Sequence, residues 1–572
     1  NALYSSGLKI YSTQSPSIQK ALDEEFANEE NFPSNVKVGI EWVMTVVKPN
    51  GDTTNYSQEM MISYYKQNDS NYEPLYSSKD DAQAAIDGYV ATLGITDDDT
   101  VYEDCSFIMQ PQASMVIMDQ TTGEVVAMIG GRGEKTANKT LNRASDSLRN
   151  PGSTFKILAA YAPALDSCDK TLATTIDDEP YTLKNGNVLR NANKQYGGTT
   201  TLRNGIKKSI NVVAVKLSDE ITQELGYEYC EKFGISTLVK DKTINGKVFD
   251  DSTSQTLALG GITEGVYNYE MCAAYASIAN GGVYNKPTLY SKVVDHDGNV
   301  LLDGTGESHT VIKDTTAWLL TSAMEDVMTS GTGTSAYFGS SMAQAGKSGT
   351  TTSSRDALFA GYTPYYTCAV WGGYDDNAMQ KGSDTNYPKR IWKAVMKRIH
   401  ENLAYKDFTK PSGIVAVAVC KESGKLPIEG VCDHDPRGNC VITEYFAQGT
   451  EPTEYCDHHT VANICTASNM LAGSYCPAET VTTGVYVTGG SETTEDAPYL
   501  LTDAFLSQTC TVHNEFNSTY TGTNSFPGST GVNPIGADPA GDAATPDAST
   551  TTTNPNTTTD PAATTDQSVD GQ

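Results

Sequence analysis

Apolar positions recur along this chain with two different periods, and the places where the period changes mark its elements. Alternating apolar and polar positions from Val36 to Val47 predict a half-buried strand, and the spacing from Ser17 to Phe26 predicts a short helix. Gly7 to Thr13, ahead of that helix, reads as a strand and a turn. Ala113 to Asp119, a turn at Thr121-Thr122-Gly123, and Glu124 to Gly131 predict a β-hairpin whose two arms are apolar enough to lie inside a sheet.

From Ser153 to about Ala279 the helical period dominates. It is strongest over Val212 to Leu217 and over Asn268 to Asn280, where Gly281-Gly282 stops it. Strand-like runs return over Val283 to Val300 around an Asp297-Gly298 turn. Thr315 to Thr329 then predicts an amphipathic helix, Ala357 to Tyr374 further strands, and Ile391 to Leu403 a closing helix. A sheet drawing strands from both ends of a segment, with a helical block between them, is an α/β or α+β enzyme core. Gly413 to Cys420 is again strand-like, the remainder to 515 is rich in loops, and no internal repeat is read.

Candidate chemistry begins at Arg149-Asn150-Pro151-Gly152-Ser153-Thr154-Phe155-Lys156, where Pro151 and Gly152 break the preceding segment and a mostly apolar helix follows. Lys156 falls one turn after Ser153 on the same face. A buried lysine with positive neighbours can lose its proton and then serve as base to a serine nucleophile. Ser-x-x-Lys alone decides little, since Ser17-Ile18-Gln19-Lys20 repeats the pattern. Two further signals add to it. Ser209-Ile210-Asn211 is the one Ser-x-Asn in the chain, placed at the start of a helix, and Lys347-Ser348-Gly349-Thr350 is the one Lys-[Ser/Thr]-Gly. The seven histidines (296, 309, 400, 434, 458, 459 and 513) lie outside these motifs and outside any triad-like setting, which favours lysine as the base.

The 572 residues exceed what one hydrophobic core usually serves. Boundaries are expected near 110, 408 and 515: an N-terminal linker or pedestal over 1–110, a catalytic unit over 111–408, a Cys-rich accessory region over 409–515, and a tail over 516–572. That tail holds six aspartates and no lysine or arginine, a composition that predicts disorder. A net charge of −30 argues against nucleic acid as a partner. No run of 18 apolar residues occurs, so no membrane span is expected in these residues. The start at Asn1, without a leader pattern, fits an excised piece whose anchor lies upstream. Seven of the twelve cysteines fall between Cys420 and Cys510 without a Cys-x-x-Cys. Disulfides or free thiols are the preferred reading, with a metal site near Asp457-His458-His459 as the competitor; no metal ligand and no cofactor is assigned.

Taken in order, Ser153-x-x-Lys156, Ser209-x-Asn211 and Lys347-Ser348-Gly349 resemble the penicillin-binding proteins and serine β-lactamases. The flanking Arg143-Ala144, the hairpin ending Gly130-Gly131, and Gly260-Gly261 through Gly265-Val266 to Ala274-Tyr275-Ala276 and Gly281-Gly282 are similar to the transpeptidase domain of bifunctional class A penicillin-binding proteins. Gly7 to Gln19 resembles the strand that follows the glycosyltransferase domain in that class. The resemblance implies an α+β fold: a central antiparallel sheet with helices on both sides and an inserted helical subdomain, flanked by an N-terminal linker and C-terminal β or loop modules. Ser348 stands where most class A members carry threonine, and both supply a hydroxyl.

Residue by residue, the resemblance implies that Ser153 attacks a D-Ala-D-Ala carbonyl and Lys156 takes its proton. Ser209 relays a proton to the leaving D-alanine, Asn211 positions the substrate amide and bonds Lys156, and Lys347 lends positive charge. Ser348, Gly349 and Thr350 bind the substrate, with backbone N–H groups of Ser153 and Thr350 as the oxyanion hole. Implied partners are peptidoglycan stem peptides on lipid II-derived glycan strands, and β-lactams. The implied location is the extracytoplasmic face of the cell membrane, reached through an N-terminal anchor missing here. A longer chain of this class would also polymerise glycan, although no glycosyltransferase motif is present. D,D-carboxypeptidase activity and a β-lactam-sensing module are the alternatives. A class A β-lactamase is disfavoured, because no Glu-x-x-Leu-Asn occurs.

Overall fold

The computed structural model describes residues 6–135, 139–488 and 496–515; the tail expected to be disordered, 516–572, lies outside them. A five-stranded antiparallel sheet stands at the centre, in the order Ala345–Thr350, Asp356–Tyr362, Thr367–Gly373, Gln112–Met118, Val125–Ile129. Its strands therefore come from both ends of the segment, as the pattern predicts, and the hairpin expected near 112–131 supplies two of them. All seven residues of Gln112–Met118 are buried because both faces of the sheet are covered. The strand's period of two then divides its side chains between two cores. Val116 and Met118 join Ala360, Ala369 and the helix Asn268–Ala279, while Met115 and Ile117 join Val370, Phe359 and the helices Pro16–Ala27 and Tyr387–Ile399.

Alanines decide how closely the first of these helices can lie. Ala273, Ala274 and Ala276 are buried in Asn268–Ala279, and Asn268 at its start donates to the Ser114 and Ala369 carbonyls. One buried amide thus fastens the helix to two strands. The helical block between the sheet's two halves contains Leu202–Lys208, Asn211–Ile221 and Gln223–Lys232.

The N-terminal region contributes to two places. Strand Lys9–Ser12 pairs with Tyr290–Val294, whereas Lys37–Val47 lies between Thr53–Ser57 and Thr100–Gln110 in a separate three-stranded sheet. On that sheet Val38, Ile40, Trp42, Met44 and Val46 alternate inward against Met61, Ala82, Ile86 and Tyr89 of helices Gln58–Asn68 and Lys79–Val90. Neither helix is evident from the sequence, because each offers only a few apolar positions among Tyr, Asp, Gln and Ser.

Beyond 410, Ile414–Cys420 pairs with Val441–Ala447, and His459–Cys465 lies between Met470–Leu471 and Val481–Val487. Of the two forms expected for these cysteines, disulfides or free thiols, the structure has the second: all twelve are free. The region meets the core through apolar contacts, Val419 and Phe446 on Ala173 and Tyr445 on Trp318, and through an ionic knot. Arg203, on Leu202–Lys208, donates through Nε and Nη2 to both oxygens of Glu444 at 2.7 Å and through Nη1 to Asp326 at 2.9 Å. Glu444 has a side chain only 1% exposed, and the guanidinium meets it in a bidentate pair.

Removing one partner of such a pair leaves an uncompensated buried charge. Arg203→Met should therefore destabilise the chain by about 3–5 kcal/mol. Denaturant titration is the measurement, and Arg203→Met/Glu444→Leu, which removes both charges, should recover much of the loss.

Candidate functional site

Three separate segments of the sequence converge beside the edge strand Ala345–Thr350. Ser153 lies in a 3₁₀ turn, Gly152–Thr154, that leads through Lys156 into a π-helical turn, Ile157–Tyr161, and then into the helix Ala162–Ser167. The continuous helix expected from Ser153 is thus built of three different turns. Pro163 supplies a reason, because it has no N–H to give the Ala159 carbonyl and the ladder must shift ahead of it.

The approach to Ser153 is pinned from both sides. Arg149 exchanges backbone hydrogen bonds with Val266 (3.0 and 2.9 Å), and its guanidinium lies 4.7 Å from the Trp371 ring and 3.8 Å from Asp356. Gly152 has φ +54°, and a Cβ there would stand 2.9 Å from the Thr350 carbonyl. Gly260, at φ +73°, comes so close that its own Cβ would meet the Gly152 backbone at 2.5 Å. Two glycines in left-handed conformations therefore let three backbones touch at the turn that carries Ser153.

Ser209 ends one helix rather than opening the next, which differs from the sequence expectation. Its backbone is left-handed (φ 56°, ψ 45°) as the C-cap of Leu202–Lys208, and Asn211 is the first residue of Asn211–Ile221. A non-glycine residue there costs energy, and the gain is an inward-turned carbonyl and hydroxyl. Lys156 Nζ donates to Ser209 O at 2.7 Å, to Asn211 Oδ1 at 2.7 Å and to Ser209 Oγ at 3.3 Å. From the opposite side Lys347 Nζ donates to Ser209 Oγ at 2.8 Å and to Ser348 O at 2.8 Å.

Both lysines are 0% exposed. Burial, with the Lys347 charge second, holds Lys156 well below the ordinary lysine range. Burial, with Lys389 second, pushes Lys347 down to about 7. A lysine in such a setting can take a proton from a nearby hydroxyl at neutral pH, and the Ser209 hydroxyl between two nitrogens can pass one on.

The structure thus gathers Lys156, Ser209, Asn211 and Lys347 into one hydrogen-bonded set, with Ser153 on the turn that leads into Lys156. Ser348, Gly349 and Thr350 continue the edge strand, and Ser348 Oγ donates to Thr332 Oγ1 at 2.8 Å. Sequence reasoning missed Asn191, whose Oδ1 accepts the Asn211 backbone N–H at 3.0 Å, and Lys389, which donates to Thr332 O at 3.2 Å. Neither sits in a recognisable spacing; each gains its place only through the fold.

Residues 113–400 match the family described as penicillin binding protein transpeptidase domain, and 410–461 match that described as penicillin-binding protein 1A, C-terminal domain. Among curated relatives, penicillin-binding protein 1A of Clostridium botulinum (strain Langeland) is 38% identical over 391 residues, which are 66% of this chain and 46% of that protein. The Clostridium tetani protein of the same name is 37% identical over 67% of this chain and 48% of its own length. The chain therefore spans about half the length of the curated relatives it matches. Two solved structures share the fold. Penicillin-Binding Protein 1A from Haemophilus influenzae has a TM-score of 0.56 at 20% identity, covering 80% of this chain and 74% of that one. PonA1 from Mycobacterium tuberculosis, in complex with penicillin V, has a TM-score of 0.51 at 21% identity, covering 72% and 90%.

A Cβ at residue 152 meets both an unfavourable φ and the Thr350 backbone. Gly152→Ala should consequently cost more than about 1 kcal/mol and shift the edge strand away from Ser153. Thermal unfolding reads the first effect, and amide exchange confined to 345–350 and the Ser153 turn reads the second.

Proposed function

Because the chain belongs to the penicillin-binding protein transpeptidase family, we propose that it crosslinks peptidoglycan stem peptides through an acyl-enzyme on Ser153, and that β-lactams acylate the same serine. The observation that carries this reading is the pair of buried lysine nitrogens converging on Ser209 Oγ. In this reading 111–408 is the catalytic unit, 1–110 a pedestal and 409–515 an accessory region. A further proposal rests on the resemblance in the sequence, and the greater length of the relatives leaves room for it: the whole protein also polymerises glycan and is held at the extracytoplasmic face of the membrane. Among the described residues no helix is long and apolar enough to cross one.

In the proposed reaction the Ser153 hydroxyl gives its proton to neutral Lys156 as Oγ bonds to the carbonyl carbon of the penultimate D-alanine. Backbone N–H groups of Ser153 and Thr350 receive the oxyanion, a contribution typically of about 10²–10³ in rate per donor. The C–N bond then breaks, and the proton on Lys156 passes through Ser209 Oγ to the departing D-alanine amine. Asn211 holds the substrate amide and keeps Lys156 oriented, while Lys347, Ser348 and Thr350 receive the terminal carboxylate along the edge strand, where Gly349 leaves room for the close backbone contact. An amine from a second stem peptide attacks the ester carbonyl, its proton returns by the same route, and Ser153 is released. A β-lactam enters as a mimic of the D-Ala-D-Ala end, but its leaving group stays tethered, so the acyl-enzyme persists.

Intact mass after incubation with penicillin tests the reading. One adduct per chain is expected, mapping to Ser153 and absent in Ser153→Ala, which removes one hydroxyl that caps no helix. An adduct on Ser209, or none on the folded wild-type chain, would overturn it.

The two lysines should separate kinetically. Lys156→Ala is expected to slow acylation by about 10²–10⁴, with a smaller effect on initial binding. Lys347 carries its charge below about 7 and loses it above, so capture of a carboxylate-bearing ligand should weaken as pH rises through that value. Lys347→Arg, which stays charged, should flatten that limb in stopped-flow titrations, whereas Lys347→Ala should weaken capture at every pH.

A further inference from the structure

The cysteines beyond 410 take no part in the reaction proposed above, yet five of the seven are buried. They fall into two groups with one thiol left over. Sγ of Cys420, Cys432 and Cys456 and a ring nitrogen of His459 all lie within 4.8 Å of one another, as do those of Cys465, Cys476, Cys510 and His513. We propose that each group binds one zinc ion as a closed Cys3His site, and that the two sites belong to two copies of one small β module. This goes beyond the acyl-transfer reading and does not depend on it.

The shortest distances within the two groups match the edges of a zinc tetrahedron. Zn–S bonds of about 2.3 Å and Zn–N bonds of about 2.0–2.1 Å place a sulfur and a nitrogen about 3.5 Å apart across a tetrahedral edge. In the first group His459 Nδ1 lies 3.4 Å from both Cys420 Sγ and Cys456 Sγ. In the second, His513 Nδ1 lies 3.3 Å from Cys465 Sγ and 3.5 Å from Cys510 Sγ. The two sulfurs of Cys465 and Cys510 stand 3.5 Å apart, far beyond the roughly 2.05 Å of a disulfide. Three sulfurs and one imidazole fill four positions and leave none open for substrate, the arrangement of a structural zinc site.

The surroundings of the first group add a second line of support. With Nδ1 turned to the sulfurs, His459 directs Nε2 to Asp435 Oδ2 at 2.7 Å, and both side chains are fully buried. Arg437 holds Asp435 through Nε at 2.9 Å and Nη2 at 2.8 Å. A carboxylate behind a ligating histidine fixes which nitrogen is free for the metal. The Ile428 backbone N–H also points at Cys432 Sγ, at 3.3 Å, and so favours the thiolate. Cys440 and Asp435 could form a rival group with the same histidine, but Nε2 is already committed to Asp435; Cys440 is the odd thiol.

The duplication is independent of any ligand distance. Cys420-x11-Cys432-x23-Cys456-x2-His459 is followed by Cys465-x10-Cys476-x33-Cys510-x2-His513. Strands Ile414–Cys420 and His459–Cys465 occupy equivalent places, each seven residues long and each paired antiparallel with a second seven-residue strand. Both are followed by Ser-[Gly/Asn]-x-Leu, at Ser423-Gly424-Lys425-Leu426 and Ser468-Asn469-Met470-Leu471. Gly424 and Asn469 both take positive φ, +71° and +53°, and donate to Cys420 O and Cys465 O at 2.8 Å. Leu426 O then accepts from Cys456 N at 2.8 Å, and Leu471 O accepts from Cys510 N at 2.7 Å. The same knuckle is built twice, and its third cysteine returns to the same main-chain position each time. Neither copy buries much apolar surface. Around the first ligand set the packed cluster consists of four cysteines with Ile428 and Val441. A module with so small a core needs a cross-link, and zinc would supply it by replacing three thiol protons, which pass to solvent.

The test uses the whole chain purified without chelator and analysed for metal by native mass spectrometry and elemental analysis. Two zinc ions per chain are expected. His459→Ala and His513→Ala should each retain one, and Cys440→Ser both. Zinc-edge X-ray absorption on the wild-type chain should give three sulfurs at about 2.3 Å and one nitrogen at about 2.0–2.1 Å, which decides the matter even if a histidine variant fails to fold. A folded wild-type chain without metal would overturn the proposal, as would a non-reduced mass lower by two hydrogens per cysteine pair, or two zinc ions kept in both histidine variants.

Discussion

Two lysine side chains are held out of water around one serine hydroxyl, and much of the remaining architecture follows from that constraint. An ammonium group removed from solvent is costly unless it is bonded on every side or gives up its proton. Lys156 meets three acceptors and Lys347 two, and the fold spends irregular backbone to provide them. Ser209 is left-handed at a helix end, so that its carbonyl and hydroxyl turn inward together. Lys156 sits between a 3₁₀ turn and a π turn, which a regular helix would not allow. Strain concentrated at such a cluster, supported by a rigid surround, is the usual signature of a working site.

The surround is the central sheet and its two cores. Because Gln112–Met118 and Thr367–Gly373 are buried on both faces, they cannot shift without moving both layers of helices. Arg149 ties the Ser153 turn to this block through Asp356, Trp371 and the Val266 backbone, while Asn268 ties the packing helix to it. The elements that carry the proposed site come from segments up to about two hundred residues apart in sequence. Their alignment therefore rests on the sheet rather than on any local preference.

Farther along the chain the opposite regime applies. The hairpins beyond 410 bury few apolar side chains of their own and reach the core through the Arg203–Glu444 pair and the contact of Tyr445 with Trp318. Their cohesion comes from thiols and imidazoles gathered at strand ends instead of from a wide hydrophobic interior.

The strands at 112–131, the helices at 268–280 and 315–329, and the three motifs that resemble a penicillin-binding protein were legible in the sequence. Each depends on period, turn chemistry or short spacing, all of which are local. The helices at 58–68 and 79–90 were not legible, because only docking against Trp42 and its neighbours gives their few apolar residues a common face. The repeat beyond 410 was hidden for a related reason. Its two copies share ligands, a left-handed turn and a strand pairing, but their loops differ in length, so no fixed period runs through them. Sequence by itself determined which residue types are available and where the chain must turn. Tertiary structure alone decided that Lys156 and Lys347 meet across Ser209, that Asn191 holds Asn211, and that six distant thiols face two histidines. Burial and distance between remote segments set those relations, and neither quantity exists until the sheet has formed.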